Sequence, residues 1–101
     1  VRARKTDSNQ AELVKQMRKI GISVFITSGV GDGFPDVVAG LRGNNYLFEI
    51  KDPNKCPSAR KLTPDEQDFF NTWKGSVHKV ETIEDVIKIV NSLNTYYGQT
   101  N

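Results

Sequence analysis

The sequence predicts a single α/β domain with the element order αβββαβα. Three observations predict it. Apolar residues recur at helical spacing near both ends and after residue 63, short β-branched runs lie between them, and a capping residue or a glycine marks most changes of period. With 101 residues the chain has the size of one domain and should bury roughly 60 to 70% of its extended surface, enough for a core without staples.

Ser8 is a suitable N-cap for a first helix over about residues 9–20, in which Leu13, Val14, Met17 and Ile20 recur at helical spacing before Gly21 stops it. "ISVFITS", residues 22–28, is β-branched and aromatic between glycines and reads as strand one. "DVVAGL" and "YLFEIK" are two further short apolar runs joined by "RGNN", where Gly43 and Asn44 suit the positive φ angles of a tight turn. They should pair as an antiparallel hairpin. "LTPDEQDFFNTW" opens with Thr63 as N-cap, Pro64 at the first helical position and Glu66 closing a capping box. It places Phe69, Phe70 and Trp73 on one face of a second helix that ends at Gly75. "VHKV" is a short fourth strand, and "TIEDVIKIVNSL" a third helix capped by Thr82 with Ile83, Val86, Ile87, Val90 and Leu93 inward. Residues 1–7 read as a basic arm and residues 94–101 as a loose tail.

Hydrophobic content of 37% and charged content of 26% are those of a soluble globular chain. No apolar run approaches the roughly 18 residues that span a membrane, and no signal peptide is expected. Cys56 has no intrachain partner, which argues for a reducing, cytoplasmic setting. The net charge of +2 conceals an asymmetry: residues 1–61 carry 11 Lys and Arg against 6 Asp and Glu, and residues 62–101 carry 3 against 6. The excess lies in "VRARK", with Arg2, Arg4 and Lys5, and in "KDPNKCPSARK", with Lys55, Arg60 and Lys61. Such clusters either solvate an arm and a loop or neutralise the phosphates of a nucleic acid.

A turn centred between Gly43 and Asn44 sets Asp36 opposite Lys51 and Val38 opposite Glu49. Because side chains alternate along a strand, Val37, Ala39, Leu41, Tyr46, Phe48 and Ile50 share one almost wholly apolar face. Asp36, Val38, Gly40, Leu47, Glu49 and Lys51 share the other, with Asp36 diagonal to Glu49 at roughly 7 to 8 Å. Two acids and one base beside apolar Val38 and Leu47 favour a cation, and hard oxygen donors without His or Cys suggest Mg²⁺ or Mn²⁺. The alternative is an ordinary ion pair in which Lys51 bridges the two acids. Gly29, Gly31 and Gly33 do not make a dinucleotide fingerprint, since Phe34, Pro35 and a strand follow them rather than a helix. They let backbone approach a ligand, while Pro35 holds the chain extended into Asp36. His78 reads as structural and Asp32 as a turn residue.

In this order and spacing, "GDGFPDVVAG", "LFEIK" and "KLTPDEQDFF" resemble the virus-type replication-repair nuclease (VRR-NUC) domain of the PD-(D/E)XK nuclease superfamily, and more distantly archaeal Holliday-junction resolvases. The likeness covers roughly residues 8–90. It implies a restriction-endonuclease-like fold with a central mixed sheet flanked by helices, and a metal-dependent DNA endonuclease that hydrolyses phosphodiester bonds. It further implies that Asp36 and Glu49, with the main-chain carbonyl of Ile50, hold Mg²⁺ or Mn²⁺, and that Lys51 is the active-site lysine. Glu12 matches the acidic residue of the family's first helix, and Gln67 the glutamine that the family directs at the active site. The same likeness implies a homodimer acting on branched DNA such as Holliday junctions. Rival readings are a restriction-type, nicking or flap endonuclease on the same fold, and a non-catalytic DNA-binding module.

Overall fold

Among the described residues the elements follow the predicted order: α1 (Ser8–Lys19), β1 (Ser23–Ile26), β2 (Val37–Leu41), β3 (Asn44–Ile50), α2 (Pro64–Thr72), β4 (Val77–Val80) and α3 (Ile83–Thr100). A 3₁₀ turn, Pro57–Arg60, interrupts the connection from β3 to α2. The computed structural model describes residues 8–100 and the side chains of residues 9–92. Arg2, Arg4 and Lys5 lie outside the described residues, as does the side chain of Leu93. No described helix is long and apolar enough to cross a membrane.

The strands form one mixed sheet in the order β1-β2-β3-β4, antiparallel except for the parallel pair β3 and β4. A tight turn joins β2 to β3 and the glycine-rich loop joins β1 to β2, whereas the crossover through α2 brings β4 in parallel to β3. Val37, Ala39, Tyr46, Phe48 and Ile50 are buried together with Leu13, Val14 and Met17 of α1 and Val86 and Val90 of α3, so the main core lies on one side of the sheet. Tyr46 and Phe48 stack there with ring centroids 5.8 Å apart. Burying each such side chain is worth about 1.5 to 3 kcal/mol.

Helix α1 ends one residue before the predicted boundary, and Ile20 is 52% exposed rather than part of the apolar stripe. Gly21, at φ +97°, turns the chain. Its N–H donates to the Arg18 carbonyl and the Ile22 N–H to the Met17 carbonyl, a Schellman closure that buries Ile22 in place of Ile20. In α3, Ile87 is exposed and Ile89 packs on the core instead, and the helix continues past Leu93 to Thr100.

The hairpin register differs from the predicted one. Leu41 pairs with Asn44 and Val37 with Phe48, which closes the turn over Arg42 and Gly43, at φ +51° and +83°. Arg42, not Asn44, is the positive-φ partner of Gly43 in the tight turn. Moving the turn by one residue shifts every pairing by two, and a shift of two leaves each side chain on its face. Burial alone therefore does not choose between the registers, and the turn decides.

Helix α2 lies apart from the main core. Its N-terminus carries the predicted capping box, with Thr63 and Glu66 bonded reciprocally. Phe69 packs edge-on against Phe34 at 5.3 Å and stacks on Trp73 at 4.9 Å, so these aromatics tie α2 to the glycine-rich loop. Gly33, at φ +78°, sits so close to α2 that a Cβ there would collide with the Asp65 carbonyl oxygen. Gly33→Ala should cost about 1 to 3 kcal/mol, from strain and from separating the loop and helix. Urea unfolding measures it, and an unshifted midpoint would show that the loop moves freely off α2.

Candidate active site

Asp36 enters β2 directly after Pro35, and its backbone is held on both sides. Its N–H donates to the Phe48 carbonyl at 3.0 Å, and its carbonyl accepts the Thr27 N–H at 2.7 Å. Asp36 Oδ2 accepts the Ile50 N–H at 2.8 Å. The observed register, which ends at the Val37–Phe48 pair, does not set Asp36 opposite Lys51. The two acids are nonetheless close neighbours, their carboxyl groups joined by a hydrogen bond. Glu49 is only 4% exposed. Lys51, two residues on and on the same face, places Nζ 3.6 Å from Glu49 Oε2 and 2.8 Å from Glu66 Oε1. Asp36, Glu49, Lys51 and Glu66 line a cleft of about 380 Å³, which Gln10 and Lys55 also border.

Burial is the main force on the two central acids. It pushes Glu49 up to about 9, helped by the charges of Asp36 and Glu66 and opposed by Lys51. Asp36 is also raised by burial, against the Ile50 N–H that favours its charged form. Burial works to raise Glu66 too, but its bonds from Lys51 and the Thr63 N–H outweigh this and hold it low. The Asp36–Glu49 pair thus retains a proton unless a cation compensates it.

A pH dependence follows. The folded chain keeps the Glu49 proton up to about pH 9, whereas the unfolded chain loses it near the ordinary value of 4.5. The native state then binds more protons across that window, so stability must fall as pH rises through it. Thermal melts in chelator should show a lower midpoint at about pH 8 than at about pH 5, with Mg²⁺ or Mn²⁺ recovering part of the loss. A midpoint that rises over this range would mean that Glu49 is ionised and otherwise compensated.

No protein-family model, curated protein or solved structure matches the chain. The chemistry of the site therefore rests on its own residues. Among the described residues no group of three His, Cys, Asp or Glu is placed to hold a metal ion. Asp36 and Glu49 still suit a hard divalent cation: they are adjacent oxygen donors, both raised by burial, and Lys51 leans toward Glu66 rather than toward them. Mg²⁺ is commonly held by one or two carboxylates, with water and substrate phosphate completing its shell. Ile50 borders the same cleft, with its N–H committed to Asp36.

The other predicted residues divide. Glu12 is exposed and borders a separate groove with Gln16 and Glu84. Gln67 is exposed and donates to Asn71 Oδ1 at 3.0 Å. Neither is brought to the cleft, because one helical residue turns a side chain by about 100°. Glu66 points inward and Gln67 consequently outward, while Gln10, 5% exposed and bonded to Ser28 Oγ at 3.3 Å, takes the place on α1 expected of Glu12. Both substitutes had a sequence signal. Gln10 begins the helical stripe of Leu13, Val14 and Met17 with a polar group, and the capping box accounts for Glu66 in the sequence without its second partner.

Of the basic residues, Lys55 borders the cleft and Lys61 is exposed beside it in sequence after the 3₁₀ turn. Arg60 is turned away into a two-point bond with Glu81, 3.0 Å at each contact, which anchors that turn to the start of α3. Asn9 steadies the same region, donating to the carbonyls of Lys51 and Glu81. His78 pairs with Ser76 at 2.8 Å away from the cleft, where burial lowers its pKa. Asp32 stands in a turn at φ +57°, outside the cleft lining.

Proposed function

We propose that the chain is a metal-dependent DNA endonuclease that hydrolyses phosphodiester bonds in branched DNA, acting as a homodimer. The observation that supports it most directly is the line of Asp36, Glu49 and Lys51 at one end of the β2–β3 hairpin, on the wall of an open cleft. Bound at Asp36 and Glu49, Mg²⁺ or Mn²⁺ would supply Lewis-acid charge at a phosphate oxygen and make a water more acidic at neutral pH.

The chain's own residues do the rest. The Ile50 N–H fixes the Asp36 carboxylate, and the sheet fixes Glu49, so both donors stand in place before substrate arrives. Lys51 holds its positive charge beside them, where charge on the phosphate grows during attack by water and departure of the 3′ oxygen. Lys55 and Lys61 meet the phosphate backbone rather than the bases, giving recognition by shape and a steep salt dependence. Cutting both strands of a junction takes two such sites, hence two copies. Phe25, 72% exposed on edge strand β1, offers such a pair apolar surface to bury.

The test is cleavage of an end-labelled four-way junction, a flap and a linear duplex, with and without Mg²⁺, with sedimentation giving the mass. Paired nicks near the branch point that require the metal are the expected result. Cutting a linear duplex at one sequence, or removal of flaps by a monomer, would reassign the substrate. Binding without any cutting would leave a DNA-binding module in which Lys51 is only an ion-pair partner.

A further inference from the structure

We propose that Glu66 is a positioning residue that draws the Lys51 ammonium off Glu49 and so leaves the Asp36–Glu49 pair open to a divalent cation. This rests on the metal-site reading above. The ammonium lies 2.8 Å from Glu66 and 3.6 Å from Glu49, so its nearer partner comes from α2 rather than from its own strand. The Glu66 oxygen that holds it also accepts the Thr63 N–H at 2.9 Å, while Thr63 Oγ1 accepts the Glu66 N–H at 3.3 Å. A capping box is a closed local unit. Glu66 is therefore anchored at the start of α2 independently of Lys51, and an anchored carboxylate can hold an ammonium at a set distance from a third group. Without it, the acids left beside the ammonium are Glu49 and Asp36. A cation at that pair would then compete with Lys51 for the same oxygens.

Glu66→Gln keeps an oxygen that accepts the Thr63 N–H and removes the negative charge, so the cap stays while the pull on the Lys51 ammonium weakens. Mn²⁺ binding to the intact chain, followed by titration calorimetry, should weaken about fivefold or more in Glu66→Gln, with the melting temperature near the parent's. In a Lys51→Met background the same change should alter Mn²⁺ affinity less than about twofold, since no ammonium remains to be drawn away. An equal loss in both backgrounds would overturn the proposal, because Glu66 would then act on the cation directly. Unchanged affinity in folded Glu66→Gln would overturn it too and leave Glu66 a helix cap alone. Should Glu66→Gln not fold, Glu66→Asp keeps the charge but shortens the reach: weaker Mn²⁺ binding that disappears in the Lys51→Met background supports the proposal, and parental binding or an equal loss in both backgrounds overturns it. A parent chain that binds no Mn²⁺ would sink the metal reading together with this inference. A parent that binds Mn²⁺ but cuts no DNA would count against the nuclease reading alone.

Discussion

Lys51→Ala should lower junction cleavage by about 10²- to 10³-fold, the usual loss when a group that meets developing charge is removed. Folding should survive the change. Lys51 lies on the cleft wall outside the main apolar cluster, and Glu66 keeps its Thr63 partner without it. Removing the ammonium leaves three neighbouring acids with less compensation, so the variant should lose some stability in chelator and regain part of it with Mg²⁺. Single-turnover cleavage of a labelled junction, alongside a thermal melt, checks both halves. A folded Lys51→Ala protein that cuts at the parental rate would remove Lys51 from the chemistry and with it the assignment of the cleavage site to this end of the hairpin.

Phe48→Ala should be the costliest single truncation of the fold, about 3 to 5 kcal/mol. For a domain whose whole stability is of the order of 5 to 15 kcal/mol, that is a large share. Phe48 is 0% exposed and sits in β3, one of the two inner strands of the sheet, where its ring stacks on Tyr46 and lies 6.0 Å from His78. Truncation opens a cavity where α1 and α3 meet the sheet. Glu49 follows directly in the same strand, so the site should loosen with the core, and metal binding should weaken along with the urea midpoint. A midpoint shift worth less than about 1 kcal/mol would show that the surrounding helices close over the gap.

Much of the architecture was legible because it is written in local periods. The stripe of Leu13, Val14 and Met17, the Thr63 and Thr82 caps, and the alternation through Val37, Ala39, Tyr46 and Phe48 each specify an element without reference to the others. Errors arose where two local solutions are close in energy. The turn over Arg42 and Gly43 and the neighbouring alternative satisfy the same buried face, so the register slipped by two. Ile20 and Ile87 continue apolar patterns in sequence yet stay exposed, because one lies beyond the helix end and the other faces away from the layer that covers α3. Arg60 reads as a free phosphate contact until the fold sets Glu81 beside it.

That Asp36, Glu49 and Lys51 gather at one end of a hairpin is written in local alternation, since strand side chains alternate with period two and a slip of two residues leaves that parity unchanged. Which neighbours those three residues meet depends on how the helices pack against the sheet. Gln10 rather than Glu12, and Glu66 rather than Gln67, reach the cleft because of how α1 and α2 are rotated about their own axes against the sheet. That rotation is set by long-range packing, by Leu13 and Met17 on one side and by Phe34 against Phe69 on the other. No local period records it.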